Sequence, residues 1–279
     1  MVKVLKPGMF STVQDKGREG FQSYGIPQSG SMDSFSSDLG NKILGNAINV
    51  AVLEITMVGP VLEFESPTFI CITGADLSAS VQNINIPMNT VIPIKSNDIL
   101  SFGALKSGLR AYIAVLGGFK TEKVYNSRSM FKNLTKAIKL SKNDTLEISN
   151  ETLICDSKLI VQSVQNIENE LMVTKGPEYS MLNSNQKNFI ISQDFTVSNN
   201  YNRMALQLTD LLENNLDSII TSIVLPGTVQ LTPNGTLIIL MRDCQTTGGY
   251  PRVLQLEERA INSVAQLKKD SKLSFNLKT

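Results

Sequence analysis

The 279 residues contain no histidine. That absence removes serine–histidine triads, histidine zinc sites and imidazole acid–base chemistry, so any proton transfer falls to Asp, Glu, Lys, Tyr or Cys. Cysteine is scarce too: Cys71, Cys155 and Cys244 are odd in number and too far apart for a C-x-x-C metal pair. They suit a reducing compartment, not a disulfide scaffold. Cys71 reads as core inside Thr68-Phe-Ile-Cys-Ile72, and Cys244 as a structural thiol or a nucleophile. Net charge is nearly absent, since 26 basic residues offset 25 acidic ones to leave +1. There is no electrostatic argument for nucleic acid or an anionic membrane. No apolar run reaches membrane-spanning length, and the start Met-Val-Lys-Val-Leu-Lys-Pro-Gly lacks a signal core. A cytoplasmic protein is expected.

What is present is globular: 42% hydrophobic and 18% charged, at a length that fits one large domain or two ordinary ones. Short β-branched or apolar runs recur between turn residues at 61–64, 68–73, 111–116, 159–164, 189–192, 219–225, 229–232 and 237–241. Such spacing predicts barrels or sandwiches. One helix is expected after Asp33 as N-cap, with Phe35, Leu39 and Ile43 at four-residue intervals and Gly45-Asn46 closing it. A second, shorter helix is expected over Asn202 to Leu212, with Met204 and Leu208 on one face.

Parts of the chain resemble one another. Gly59-Pro-Val-Leu-Glu-Phe, Phe69-Ile-Cys-Ile-Thr and Asp76 are echoed by Gly227-Thr-Val-Gln-Leu, Leu237-Ile-Ile-Leu-Met and Asp243. Ile94-Lys-Ser-Asn-Asp-Ile-Leu-Ser-Phe102 is likewise echoed by Leu267-Lys-Lys-Asp-Ser-Lys-Leu-Ser-Phe275. Three features in one order predict duplicated β domains, over 1–150 and 151–279, with the loops at Asp76 and Asp243 equivalent. A cleft between two such domains is a common ligand site.

Three polar, glycine-bearing loops carry the candidate chemistry. Thr12-Val-Gln-Asp-Lys-Gly-Arg18 brings together Gln14, Asp15 and Arg18. Arg18 offers a bidentate donor for a carboxylate or phosphate, with Asp15 as base or as internal ion-pair partner. Gly25-Ile-Pro-Gln-Ser-Gly-Ser-Met-Asp33 runs into the helix start, where Ser29, Ser31 and main-chain N–H groups suit an anion, or Asp33 simply caps the helix. Asp243-Cys-Gln-Thr-Thr-Gly-Gly-Tyr-Pro251 follows an apolar run and reads as a turn or as a binding loop on a rigid sheet. No P-loop or G-x-G-x-x-G fingerprint and no metal-ligand cluster is present.

These loops, with Leu44-Gly-Asn, Leu53-Glu-Ile-Thr, Ile72-Thr-Gly-Ala-Asp, Leu116-Gly-Gly, Asn126-Ser-Arg-Ser and Asn202-Arg-Met, make the chain similar, nearly end to end, to one family. That family includes the C subunit of bacterial ATP-dependent 5-oxoprolinase, a protein described as antagonist of a sporulation-kinase inhibitor, and the second-subunit region of allophanate hydrolase and urea amidolyase, often labelled biotin-dependent carboxyltransferase. The resemblance implies a mainly β fold of two duplicated cyclophilin-like β-barrels with a few short helices. It also implies a kinase-inhibitor-like companion in the place of the B subunit, a third barrel subunit, and use of ATP, with Mg, in the assembled complex. Ala205 stands where the family usually has glycine, and Lys16 where it usually has an apolar residue.

Lactam opening through an ATP-activated amide needs donors for phosphate oxygens, a base for water and walls that exclude solvent. On that reading Arg18 and Arg203 clamp anions, and Asp15 or Asp243 performs acid–base work. Gln245, Thr246, Thr247, Gly248 and Gly249 contact oxyanion or phosphate, and Gln14 and Tyr250 orient substrate, with Ser29, Ser31, Asp33 and Asp76 as secondary candidates. Two alternatives stand beside it. One is carboxyl transfer from carboxybiotin to a small amide, although neither Met172 nor Met181 precedes the lysine of a biotin-acceptor hairpin. The other is a regulatory module that sequesters the inhibitor-like companion.

Overall fold

In the computed structural model, residues 1–149 and 167–278 are described; Cys155 and the run 159–164 lie outside them. The chain divides into two units, one of Met1–Arg18 with residues 29–149 and one of Glu19–Gln28 with residues 167–278. The architecture is mainly β with three short α-helices among the described residues.

The first unit runs β1 (Val2–Lys6), β2 (Phe10–Gln14), α1 (Ser34–Ile43), β3 (Val52–Thr56), β4 (Val61–Phe64), β5 (Thr68–Asp76), β6 (Ala79–Val81), β7 (Ile84–Asn85), β8 (Ile92–Ile94), β9 (Asp98–Phe102), β10 (Ser107–Val115) and β11 (Thr145–Leu146). Six strands form one sheet in the order β11-β1-β4-β9-β6-β7, and five form another, β2-β3-β10-β5-β8. Strand alternation decides what each face meets. Leu53, Ile55, Ile70, Ile72, Ala111 and Ile113 share one core with Val2, Val4, Leu62, Phe64 and Leu100 of the other sheet. The residues between them, Val52, Cys71, Tyr112 and Ala114, turn the opposite way and are covered by Leu39 and Ile43 of α1. Cys71 is therefore core, as its setting in the sequence predicts.

Helix α1 starts where the sequence places it. Asp33 Oδ1 accepts from Ser36 N at 3.0 Å and its Oδ2 from Ser36 Oγ at 2.6 Å. Gly40 lies on the sheet side, where a Cβ would stand 3.1 Å from that of Ala114; the helix rests close on β10 because that position has no side chain.

The second unit comprises β12 (Glu170–Lys175), α2 (Ser184–Ser192), β13 (Phe195–Tyr201), β14 (Ala205–Leu211), β15 (Ser222–Ile223), β16 (Thr228–Leu231), β17 (Thr236–Leu240), β18 (Thr247–Gly248), β19 (Arg252–Leu256), α3 (Glu258–Val264) and β20 (Lys272–Leu277). Seven strands close a barrel in the order β12-β19-β16-β17-β14-β13-β20, sealed by the parallel pairing of β12 with β20. Closure leaves the ladder without an exposed edge. β15 and β18 form a separate two-stranded ribbon.

Three expectations change here. The run 189–192 is the last turn of α2, not a strand, because Asn183 and Gln186 form a reciprocal capping box that starts a helix just before it. The expected helix at Asn202–Leu212 is strand β14: Leu206 and Leu208 are buried while Gln207 and Thr209 are not, a period of two. The run 219–225 is strand only at Ser222–Ile223, and Ile220 and Ile223 are exposed.

The repeated segments are also paired differently. β4 and β5 lie in separate sheets, whereas β16 and β17 pair directly, Val229 opposite Ile239. Asp76 is the last residue of β5, while Asp243 stands in a turn after β17. The two loops are not structural equivalents.

Asn183→Ala removes the acceptor for Gln186 N and is expected to lower the stability of the second unit by about 1 kcal/mol, read as a lower urea midpoint with an unchanged m-value.

Candidate functional site

In the first unit, the loop after β2 is gathered by one carboxylate. Asp15 Oδ1 accepts from Gly17 N at 2.9 Å and from the hydroxyls of Ser127 and Ser129, each at 2.6 Å. Its Oδ2 accepts from Arg128 N at 2.6 Å. The Asp15 carbonyl takes Ser31 N at 3.0 Å, which ties in the second glycine-bearing loop. Gly30 makes that approach possible: its φ is +97°, and a Cβ there would lie 3.0 Å from the Lys16 carbonyl. Four donors on one carboxylate make Asp15 a structural hub, not a free base.

Arg18 is fully buried, with Nε donating to the Val124 carbonyl at 3.2 Å and Nη2 to the Ser129 carbonyl. It rivets the 12–18 loop to the 124–129 segment, a structural role for the guanidinium expected to clamp an anion. Gln14 is also fully buried, with Nε2 donating to Thr12 Oγ1 and to the Met130 carbonyl. Gln14 Oε1 and Ser31 Oγ are buried and have no hydrogen-bond partner among the described residues.

The start of α1 is closed by protein groups. Glu54 Oε2 accepts from Met32 N at 2.7 Å and from the Tyr112 hydroxyl at 3.0 Å, and that hydroxyl accepts from Asp33 N at 2.8 Å. Burial first, then Glu54 and Asp33, pushes the Tyr112 phenol well above its ordinary value near 10, so it stays a donor. Asp33 is thus an N-cap in a protein network, the simpler of the two readings of this helix start. Ser29 is buried in the same loop at φ 61°.

In the second unit, the Asp243–Pro251 loop begins at a bidentate ion pair. Arg203 Nε meets Asp243 Oδ2 at 2.8 Å and Nη2 meets Oδ1 at 3.0 Å, with side chains 7% and 14% exposed. The main chain repeats the connection, Asp243 N donating to the Arg203 carbonyl at 2.9 Å. One edge of the guanidinium expected to clamp an anion is therefore engaged by Asp243.

Beyond the pair, carbonyls point inward to fixed donors. Thr246 O accepts from Val224 N, Gly249 O from Ile219 N, and Tyr250 O from Gln230 Nε2. The ribbon places Ile223 opposite Thr247 and Ser222 opposite Gly248. Arg252 anchors it, donating to the Ile223 carbonyl at 2.7 Å while its other donors hold Glu178. That hydrogen bonding from Arg252 keeps the Glu178 carboxyl below its ordinary value of 4.5.

The Thr247 and Tyr250 side chains remain exposed, with Thr246 and Gln245 intermediate. Tyr250 borders a recess of about 380 Å³ lined also by Gln207, Thr232, Asn234, Thr236 and Ile238. None of these carries a charge. Cys244 is buried against Val224 and Leu240, and burial, then the Asp243 charge, pushes its thiol from 9.0 up to about 12. Cys244 is packed as a structural thiol.

The family pattern described as "Carboxyltransferase domain, subdomain A and B" matches residues 24–277. The chain belongs to that family. Over 274 residues it is 31% identical to the 5-oxoprolinase C subunit of Escherichia coli, covering 96% of this chain and 88% of the relative. Among solved structures, TTHA0988 superposes on 99% of the chain with a TM-score of 0.90 at 23% identity, and the chain spans 56% of it. The K. lactis urea amidolyase superposes on 98% of the chain with a TM-score of 0.88 at 27% identity, and the chain spans 18% of it. Carboxyltransferase-domain architecture thus accounts for the whole described fold.

Within this carboxyltransferase-type chain, the expected site residues fall into two groups. Gln14, Asp15, Arg18, Ser29, Ser31 and Asp33 belong to the first unit, and Arg203, Asp243 and Gln245 through Tyr250 to the second. Asp76 is also in the first unit, where it caps its own turn by accepting from Ser78 N and pairs with Lys106 at 3.6 Å. Ser127, Arg128, Ser129, Glu54 and Tyr112 bond to these residues or their neighbours, and the sequence alone gives none of them a role. Their only signals are the Ser-Arg-Ser run of the 126–129 motif and a lone acid in the apolar strand Leu53-Glu-Ile. Among the described residues there is no group of three or more His, Cys, Asp or Glu placed to hold a metal, and no helix long and apolar enough to cross a membrane.

Asp15→Asn replaces one acceptor oxygen by an NH₂ facing N–H or O–H donors. It is expected to destabilise the first unit by about 2–4 kcal/mol, measured by thermal and urea unfolding. Cys244 in the native chain is expected to react with iodoacetamide at pH 7.5 about a thousandfold more slowly than an exposed cysteine, followed by peptide mass mapping; labelling at the exposed rate would show that the loop opens.

Proposed function

We propose that this chain is the C subunit of an ATP-dependent 5-oxoprolinase, which cleaves the lactam of 5-oxoproline to give glutamate. The observation that carries the reading is the two-way coverage of the E. coli relative, 96% of this chain against 88% of that one. In the urea amidolyase the same fold is only 18% of a longer chain.

On this reading the second unit supplies substrate contacts. The recess at Tyr250 is uncharged and lined by amides and hydroxyls, which suits a lactam: its N–H and C=O need one acceptor and one donor each, and its ring needs an apolar wall such as Ile238. The Thr246 and Thr247 hydroxyls and the Tyr250 phenol orient the amide. The inward carbonyl anchors and the Arg203–Asp243 pair hold them still, the pre-organisation that amide activation needs. Asp243 is the carboxylate assigned to proton transfer, with Arg203 fixing its orientation.

The residues first expected to clamp phosphate do not fit a triphosphate. Arg18 is buried on main-chain carbonyls and Arg203 already grips Asp243. ATP is therefore assigned to the assembled complex with its companion subunits, and no step here runs through it. A cytoplasmic location accompanies the reading.

Reconstitution of the chain with its companion subunits is expected to give 5-oxoproline-dependent ATP hydrolysis with glutamate formed. Thr247→Val and Tyr250→Phe are expected to lower kcat/KM about tenfold each while co-elution of the complex is unchanged. Glutamate formation that persists without this chain, or turnover of urea with carboxybiotin in its place, would replace the reading by carboxyl transfer or by a regulatory role.

A further inference from the structure

A second recess lies in the first unit, enclosing about 330 Å³ between residues 121 and 146. We infer that it binds a small organic carboxylate with an apolar body. The inference is independent of the reaction proposed above.

The lining has two parts. Val124, Met130, Leu140 and Leu146 give it an apolar wall. Thr121 and Arg128 give it a polar end. Arg128 Nη1 donates to the Thr121 carbonyl, which fixes the guanidinium while leaving the rest of its five N–H donors available. No acid is ion-paired with Arg128 among the described residues. Thr121 Oγ1 is buried at the same end and has no hydrogen-bond partner among the described residues. A buried hydroxyl without a partner, beside a guanidinium that makes no ion pair, is a costly arrangement that an anionic acceptor relieves.

The other charges of the lining cancel or are engaged. Lys136 and Glu122 pair with each other at 3.3 Å on the exposed rim. Asp144 Oδ2 accepts from Ser141 N at 2.7 Å. Over the whole lining Arg128 and Lys136 balance Glu122 and Asp144, and Arg128 is the cation that has no ion-pair partner among the described residues. One guanidinium and one hydroxyl match the two oxygens of a carboxylate, whereas a phosphate dianion would need more donors and would leave the apolar wall unused. The volume is at the lower end of small-molecule sites.

Such a ligand would bear on the Asp15 hub. The Arg128 main-chain N–H is one of the four donors on that carboxylate, and Met130 Sδ and O receive Val13 N and Gln14 Nε2. Occupancy would stiffen the 12–18 loop through these bonds.

The probe is 3-phenylpropionate, compared by calorimetry on the full chain with its neutral amide, 3-phenylpropanamide. The acid is expected to bind at least about tenfold more tightly than the amide, with Arg128→Gln removing that preference and Thr121→Val weakening the acid about threefold. Equal affinities for acid and amide, no binding of the acid at about 10 mM, or an unchanged acid affinity in Arg128→Gln would overturn the inference. Should Arg128→Gln fail to fold, Thr121→Val decides, because an unaltered affinity for the acid in that variant also overturns it.

Discussion

The Asp15 carboxylate is the constraint on which the polar half of the first unit depends. A carboxylate that accepts from two hydroxyls and two main-chain N–H groups fixes three stretches of chain at once: its own loop, the Ser127–Ser129 segment and, through the neighbouring carbonyl, the loop at Ser31. Charge-assisted bonds of this kind are about twice as strong as neutral ones, and their value lies in geometry as much as in energy. Arg18 reaches the same segment from the other side of the loop, so the chain is crossed twice within a few residues. Removing either group would leave buried donors or acceptors unpaired, which is the expensive outcome inside a protein.

The second unit solves a related problem by different means. Its glycine-bearing loop must leave the barrel, display hydroxyls and still hold still. The bidentate Arg203–Asp243 pair fixes where it begins, the ribbon with Ser222–Ile223 fixes its middle, and Gln230 holds its end. Because the carbonyls are the groups anchored, the side chains of Thr247 and Tyr250 are left facing solvent. The paired glycines are thus part of an ordered element, with Gly248 in strand β18.

How much of this is legible in the sequence depends on whether the decisive partner is local. Helix α1 is legible because its cap and its apolar spacing lie within ten residues of each other. The mainly β character is legible from short runs between turns. Strand β14 reads as a helix because Met204 and Leu208 are four apart, yet Leu206 and Leu208 are the buried pair. Phe189–Ser192 reads as strand because the capping box that decides otherwise begins six residues earlier. For the loops, the sequence shows chemistry-bearing residues close together but not what each bonds to. Asp15 meets partners 112 to 114 positions away, and Arg203 meets Asp243 across 40. Long-range partners give Asp15 and Arg18 structural bonds that the local sequence does not show.

The absence of histidine has its full consequence only with the burial pattern known. Tyr112 is pushed well above its ordinary range and held between Glu54 and Asp33, and Cys244 is raised to about 12. Neither the Tyr112 phenol nor the Cys244 thiol is placed to act as a base, and Asp15 accepts from four donors. On the reading proposed above, proton transfer falls to a carboxylate at the edge of the Thr246–Tyr250 loop. Asp243 takes that place in the proposed reading, and because Arg203 holds both of its oxygens, freeing one of them for a substrate requires the ion pair to loosen. Proton transfer and loop order would then be one event, which ties chemistry in the second unit to the stability of the pair that begins its loop.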